Sequence, residues 1–152
     1  MLACIRDYLN ERKARVRFQG HLSDFMTFEN GTPQGEILSL FLFSILIADL
    51  LTIHLLPETD LFAYANDLQL IATERNRFTH AQTGLDSLAH RCKELGLKIN
   101  SAKTGALQTQ HIINNQWLYI RSDRLELVNE HKCLGVIFNS QNSSSSQLSY
   151  LL

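Results

Sequence analysis

Phe62-Ala63-Tyr64-Ala65-Asn66-Asp67-Leu68 joins two short apolar runs, residues 60 to 65 and 68 to 73, both rich in aromatic and β-branched residues. Two such runs about a dipeptide of turn-forming type predict a β-hairpin with Asn66 and Asp67 at its tip. A carboxylate on a tight turn between two strands is held rigidly and faces solvent, which suits a divalent cation that prefers oxygen ligands. Asn-Asp is equally ordinary turn chemistry, because both side chains hydrogen-bond nearby backbone. The hairpin alone leaves the two readings open.

Its neighbours in the sequence separate them. Upstream lies Gly31-Thr32-Pro33-Gln34-Gly35-Glu36-Ile37-Leu38-Ser39-Leu40-Phe41-Leu42-Phe43, and downstream come Gly96-Leu97-Lys98-Ile99-Asn100-Ser101-Ala102-Lys103-Thr104 and Lys132-Cys133-Leu134-Gly135-Val136-Ile137-Phe138. In this order and spacing the blocks resemble the reverse transcriptase domain of non-LTR retrotransposons. The first resembles the family's G-x-P-Q-G-x-x-L-S-P-x-L-F block, the hairpin its F-A-Y-A-D-D block, the third its block with Asn and Lys-Thr, and the last its Y-L-G-V primer grip. Residues 8 to 30, with Tyr8-Leu9-Asn10, Arg12 and the strand-like Val16 to Phe18, resemble the family's lead-in to the first block.

The resemblance implies a fold, a chemistry and a set of roles. The fold is α+β, a polymerase palm-like fragment over residues 1–139, with an antiparallel sheet and helices packed on one face, followed by a polar, mobile tail at 140–152. The chemistry is template-directed nucleotidyl transfer with Mg2+, on an RNA template, a DNA primer and deoxynucleotides. Asp67 would be a metal ligand, and Asn66 would stand at the neighbouring ligand position. Gln34 would touch the template or the incoming nucleotide, with Gly31, Pro33, Gly35, Tyr64 and Ala65 around it. Lys103 would donate a proton to the pyrophosphate leaving group, and Leu134 and Gly135 would belong to the primer grip. Arg12, Lys13, Arg15 and Arg17, a dense basic cluster, would contact phosphates of the template without reading sequence.

Each block also has a reading on bare physics. Gly31 to Gly35 is a rigid turn into a helix, where free backbone N–H groups and the helix dipole could face a phosphate or a base. Asn100 reads as a turn residue bonding backbone through its side chain, and Lys103 as a solvated surface lysine. A short basic cluster is also an ordinary solvated face.

Departures from the family pattern matter as much as the matches. Where the family has two adjacent aspartates, this chain has Asn66 then Asp67, and the proline after the serine of the first block is Leu40. The family's earlier strand, with a further metal-binding aspartate, is expected to be missing, as are the fingers and the helical thumb. Asp7 lies in a helical pattern and is no substitute, so of the three carboxylates Asp67 alone is expected to remain. Two dications about 3.5–4 Å apart repel each other and need ligand charge to offset that repulsion. One unit charge at 4 Å is worth about 4 kcal/mol at an effective dielectric near 20, and an amide oxygen supplies none. The chain alone is therefore expected not to polymerise nucleotides.

The remaining sequence fills in the architecture. Helices are expected at 2 to 10, at 36 to 54 as a buried core helix, and at 77 to 95, where apolar residues recur at helical spacing before the stop signal Gly96. Strands are expected near 14 to 28, 60 to 73, 104 to 109, 116 to 120, 125 to 128 and 132 to 138, with an unpaired sheet edge that invites aggregation. Residues 37 to 56 are apolar enough to raise a membrane span. Asp49 near the middle would cost about 2.5–3.5 kcal/mol there, and no basic residues flank the run. With 152 residues and 45% apolar content the chain is long enough for a core. A net charge of −1 gives no global attraction to nucleic acid. Three separated cysteines suit neither a disulfide framework nor a zinc site, which points to an intracellular chain, the nucleus included, and not to secretion. The two other readings are a non-catalytic nucleic-acid-binding palm and a small membrane-associated protein; a companion polypeptide is a further candidate partner.

Overall fold

The computed structural model describes residues 2–33, 35–109 and 116–141. The chain divides into two units, Met1–Leu46 and Ile47–Leu152.

In the first unit, α1 (Leu2–Leu9) is closed by Asn10 N–H donating to the Arg6 carbonyl at 2.9 Å. β1 (Arg12–Ala14) then pairs antiparallel with β4 (Met26–Phe28), and β2 (Arg17–Phe18) pairs with β3 (His21–Leu22) inside that loop. Between β2 and β3 the turn residues Gln19 and Gly20 both have positive φ, 47° and 84°, the sign pattern whose twist matches that of the flanking strands. Val16 and Ser23 link the two ladders, through Ser23 N–H to the Val16 carbonyl at 3.0 Å and Val16 N–H to Ser23 Oγ at 2.9 Å. The strand pair expected near 14 to 28 is thus one irregular hairpin of four short strands.

α2 (Ile37–Leu50) corrects the expectation of a buried helix over 36 to 54. It ends four residues earlier, where Leu51 and Thr52 N–H groups donate to carbonyls three residues back, at Ala48 and Asp49. Ser39, Ile47 and Leu50 are buried along it, whereas Ile37, Leu40, Phe41 and Ile45 are exposed. A helix that is apolar all round has no single core face, so packing one side leaves the others in solvent. No described helix is long and apolar enough to cross a membrane.

The second unit is built on α3 (Arg77–Glu94), which packs against the hairpin of β5 (Thr59–Tyr64) and β6 (Asp67–Ala72). Its buried residues Leu85, Leu88, Ala89 and Cys92 follow the helical spacing seen in the sequence. Gly96, at φ +69°, stops it as expected, with Leu97 N–H reaching back to the Cys92 carbonyl at 2.7 Å. Leu85 and Ala89 form the core cluster with Ile120 and Leu125, flanked by Leu70, Ile99, Ala106 and Leu118. Asp49 finds its partner here: Arg91 Nε and Nη2 both reach its Oδ2, at 2.8 and 2.6 Å. Arg91 also bonds Glu94, which holds that carboxyl below its ordinary range.

Beyond a 3-10 turn at Ser101–Lys103, β7 (Gly105–Leu107) pairs parallel with β10 (Glu126–Val128). β8 (Tyr119–Ile120) pairs with β9 (Asp123–Arg124), and β11 (Glu130–Cys133) with β12 (Val136–Asn139), both antiparallel. The α+β class stands. The single antiparallel sheet does not: among the described residues the strands form six separate pairs, one of them parallel. β5 and β6 pair with nothing but each other among the described residues. The tail expected at 140–152 lies outside the described residues from 142 onward.

The three free thiols supply a direct check of this packing. Cys4 is exposed, while Cys92 and Cys133 are buried. Burial also raises the Cys92 thiol above its ordinary pKa, despite the counteracting charge of Arg121. Titration with an aromatic disulfide reagent at pH 8 is expected to give one fast thiol and two that react only on unfolding. Three fast thiols would show that the second unit does not hold this core. Because the folded chain retains the Cys92 proton where the unfolded chain loses it, stability should fall as pH rises past the ordinary thiol pKa.

Candidate functional site

The hairpin tip is one residue away from where the sequence suggests. Tyr64 pairs with Asp67, so the two-residue turn is Ala65-Asn66, and Asp67 is the first residue of β6 rather than a tip residue. Strand pairing from Thr59–Ala72 up to Tyr64–Asp67 runs without a break, so Asp67 sits on a fixed backbone with its side chain exposed. Tyr64, Ala65 and Asn66 beside it are exposed as well. Ala65 has φ +50°, the left-handed region. That conformation costs a residue with a Cβ roughly 1–2 kcal/mol. Ala65→Gly should remove it at about 0.5–1 kcal/mol of added chain entropy. The expected net gain is about 0.5 kcal/mol, read as a higher urea midpoint; a loss would mean the turn is not left-handed at this residue.

Asp67 is the one carboxylate of this turn, and Asn66 offers a neutral amide oxygen. Among the described residues no three or more His, Cys, Asp or Glu side chains come together. The donor set at the tip therefore does not fit a pair of dications.

In the first unit Asn30 and Glu36, which flank residues 31 to 35, are each held by a side chain from earlier in the chain. Arg12 donates through Nη2 to the Asn30 carbonyl at 3.0 Å and through Nε to the Leu9 carbonyl at 3.3 Å. The Tyr8 hydroxyl donates to Glu36 Oε2 at 2.7 Å and shares a hydrogen bond with Ser39 Oγ at 2.6 Å. The Ser39 bond pulls the Tyr8 phenol's pKa down, but desolvation and the Glu36 carboxylate outweigh it, and the group stays a neutral donor above its ordinary range. Gly31 and Gly35 take φ +82° and +92°, values that suit residues without a Cβ. Gln34 lies outside the described residues.

The basic cluster is less uniform than its spelling. Arg12 is occupied with backbone carbonyls, and Arg15 lies over the Phe25 ring at 4.8 Å. Lys13 and Arg17 are exposed on β1 and β2. Asn100 departs from expectation too. Its carbonyl, not its side chain, accepts from Lys103 N–H at 3.1 Å and Thr104 Oγ1 at 2.9 Å, and its side chain makes no cap bond. Lys103 is exposed at the end of the 3-10 turn. Leu134 and Gly135, at φ +50° and +83°, are the turn between β11 and β12, so the segment expected as a strand over 132 to 138 is a hairpin centred on them. The fold joins Tyr64, Ala65, Asn66 and Asp67 in one turn, and Leu134 and Gly135 in another, while Lys103 stands on a third element. Sequence reading passed over Trp117 and Arg124, whose stacking depends on a hairpin too short to carry a periodic signal.

Comparison with known proteins converges on one family. The profile of the family described as reverse transcriptase (RNA-dependent DNA polymerase) matches residues 2–147. A Drosophila melanogaster protein described as "Probable RNA-directed DNA polymerase from transposon BS" is 32% identical over 109 residues, 66% of this chain. The chain spans 12% of the length of that curated relative. No solved structure matches the chain. A profile match over residues 2–147 of the 152 means that the chain belongs to the reverse transcriptase family.

Proposed function

We propose that this chain is the palm segment of a non-LTR retrotransposon reverse transcriptase and that, on its own, it does not polymerise nucleotides. Reverse transcriptases use divalent metal ions, act on an RNA template and extend a DNA primer. The observation that carries the reading is the β5–β6 hairpin. It presents Tyr64, Ala65, Asn66 and Asp67 at one end of an unbroken six-pair ladder, in the family's sequence position. Rigid presentation of a carboxylate on a strand end is what a Mg2+ ligand requires.

Roles follow residue by residue. Asp67 would bind Mg2+ weakly, with Asn66 unable to supply the second charge. Gly31, Pro33, Gln34 and Gly35 would line the template and nucleotide path, and Lys103 would protonate the leaving pyrophosphate. Leu134 and Gly135 would support the primer end. Of the basic cluster, Lys13 and Arg17 are best exposed for phosphates, whereas Arg12 orders the turn. Three free thiols agree with an intracellular setting, the nucleus included.

The test is primer extension on an RNA template with Mg2+ or Mn2+, with dNTP incorporation followed to single-nucleotide resolution. No incorporation is expected; any metal-dependent extension that Asp67→Asn abolishes would overturn the claim of inactivity. A second reading, a non-catalytic nucleic-acid-binding segment, is favoured by the exposed Lys13 and Arg17. It would appear as salt-sensitive retention of primer-template without turnover.

A further inference from the structure

An open recess of about 320 Å³ lies beside the first turns of α3, walled by Phe78, Thr79, Gln82, Thr83, Gln116 and Trp117. Its size is at the low end of small-ligand pockets. None of the residues assigned to polymerisation above takes part in it.

Two of its lining side chains, Phe78 and Trp117, are aromatic. Trp117 is the one tryptophan of the chain and is 40% exposed. The Arg124 guanidinium lies 3.3 Å from the centre of its ring and covers one face of the indole. Trp117 lines the recess and Arg124 does not. On the helix side, the Arg77 guanidinium overlies the Phe78 ring at 5.8 Å. Gln82 fastens the two sides together: its Oε1 accepts from Tyr119 N–H at 2.9 Å, and its Nε2 donates to the Tyr119 carbonyl at 3.0 Å and to Asp86 Oδ1 at 2.9 Å.

The electrostatics point to an anion. Asn76 makes no side-chain cap bond and the first turn of α3 carries no acidic residue, so the positive end of its dipole is not neutralised there. Two arginines lie against lining rings, Arg77 on Phe78 and Arg124 on Trp117, while Asp86 is bonded to Gln82. Aromatic and guanidinium planes side by side are the surfaces on which unpaired bases stack.

We propose that this recess is a stacking site for an unpaired nucleobase of single-stranded nucleic acid, with the adjoining phosphates held by the arginines and the α3 N-terminus. The proposal rests on the nucleic-acid reading above for its ligand class, but on neither metal binding nor turnover.

Trp117 is also the probe. The full chain is titrated with an unstructured oligouridylate, the matching oligodeoxythymidylate and heparin, and indole emission is followed. Both oligonucleotides should quench it saturably, and heparin, which has no bases, should quench it far less. By anisotropy of labelled oligouridylate, Trp117→Ala should weaken binding by about 5- to 100-fold, and Trp117→Phe by no more than about threefold. Arg124→Gln should weaken binding and flatten its salt dependence. Oligonucleotide binding without quenching, or equal quenching by heparin, would sink the stacking site and leave the nucleic-acid reading intact. Absence of oligonucleotide binding altogether would remove both.

Discussion

Asn66→Asp should tighten divalent-cation binding at the hairpin tip by about tenfold and still give no primer extension. The substitution adds one negative charge beside Asp67, on a turn whose backbone is already fixed by the Tyr64–Asp67 pair. A unit charge 4 Å from another is worth about 1 kcal/mol in water and about 4 kcal/mol at an effective dielectric near 20, and a dication doubles both figures. Asn66 and Asp67 are both exposed, so the water end of that range applies. Allowing for the cost of ordering the new side chain, a gain of about 1.4 kcal/mol is one decade in affinity. Mn2+ titration by electron paramagnetic resonance measures this directly, with Asp67→Asn as the variant that should lose binding. Unchanged affinity on adding the carboxylate would mean that this turn is not a cation site. Extension by the Asn66→Asp variant would mean that the chain supplies a second carboxylate to the tip from elsewhere.

What the sequence made legible were features written in local chemistry. Gly96 ended α3 where a left-handed residue was expected, and the apolar spacing from Leu85 to Cys92 marked the face that is buried. The existence of the tip hairpin was legible for the same reason, two apolar runs about a turn. Its register was not. Asn-Asp is the stronger turn dipeptide by composition, yet pairing of Tyr64 with Asp67 puts Ala65 in the left-handed conformation instead. Ladder continuity down to Thr59–Ala72 outweighs the preference of one residue for a turn position. The opposite failure occurs at α2. Uniform apolarity reads as burial, but burial depends on what lies against each face, which no periodicity in α2 specifies. Long-range pairing was illegible as well, since nothing local joins β7 to β10 in parallel or Asp49 to Arg91. In the candidate site, residue identities were legible, but Arg12's engagement with Asn30 was not, because a cation's backbone partners depend on the turn that brings them close.

Leu85→Ala is expected to cost about 2–5 kcal/mol of stability, the range for emptying a well-packed leucine site. Leu85 is 8% exposed at the centre of the cluster with Ala89, Ile120 and Leu125, so several elements would face the cavity at once. Its neighbour Gly84 limits how far they can close in. A Cβ at that position would sit 3.0 Å from Leu70 Cδ2 and 3.4 Å from Leu55 Cδ2, so α3 and β6 are already in close contact there. Against a typical domain stability of about 5–15 kcal/mol, such a loss leaves a marginal fold. Leu40→Ala makes the same chemical change on α2 at 66% exposure and should stay within about 0.5 kcal/mol of the unmodified chain. Urea unfolding of the two variants side by side decides the matter, and equal losses would mean that α2 is covered in solution. The same core carries β6, whose first residue is Asp67. Leu85→Ala should therefore weaken cation binding as the scaffold opens, while Asp67→Asn should remove cation binding and leave the urea midpoint where it was.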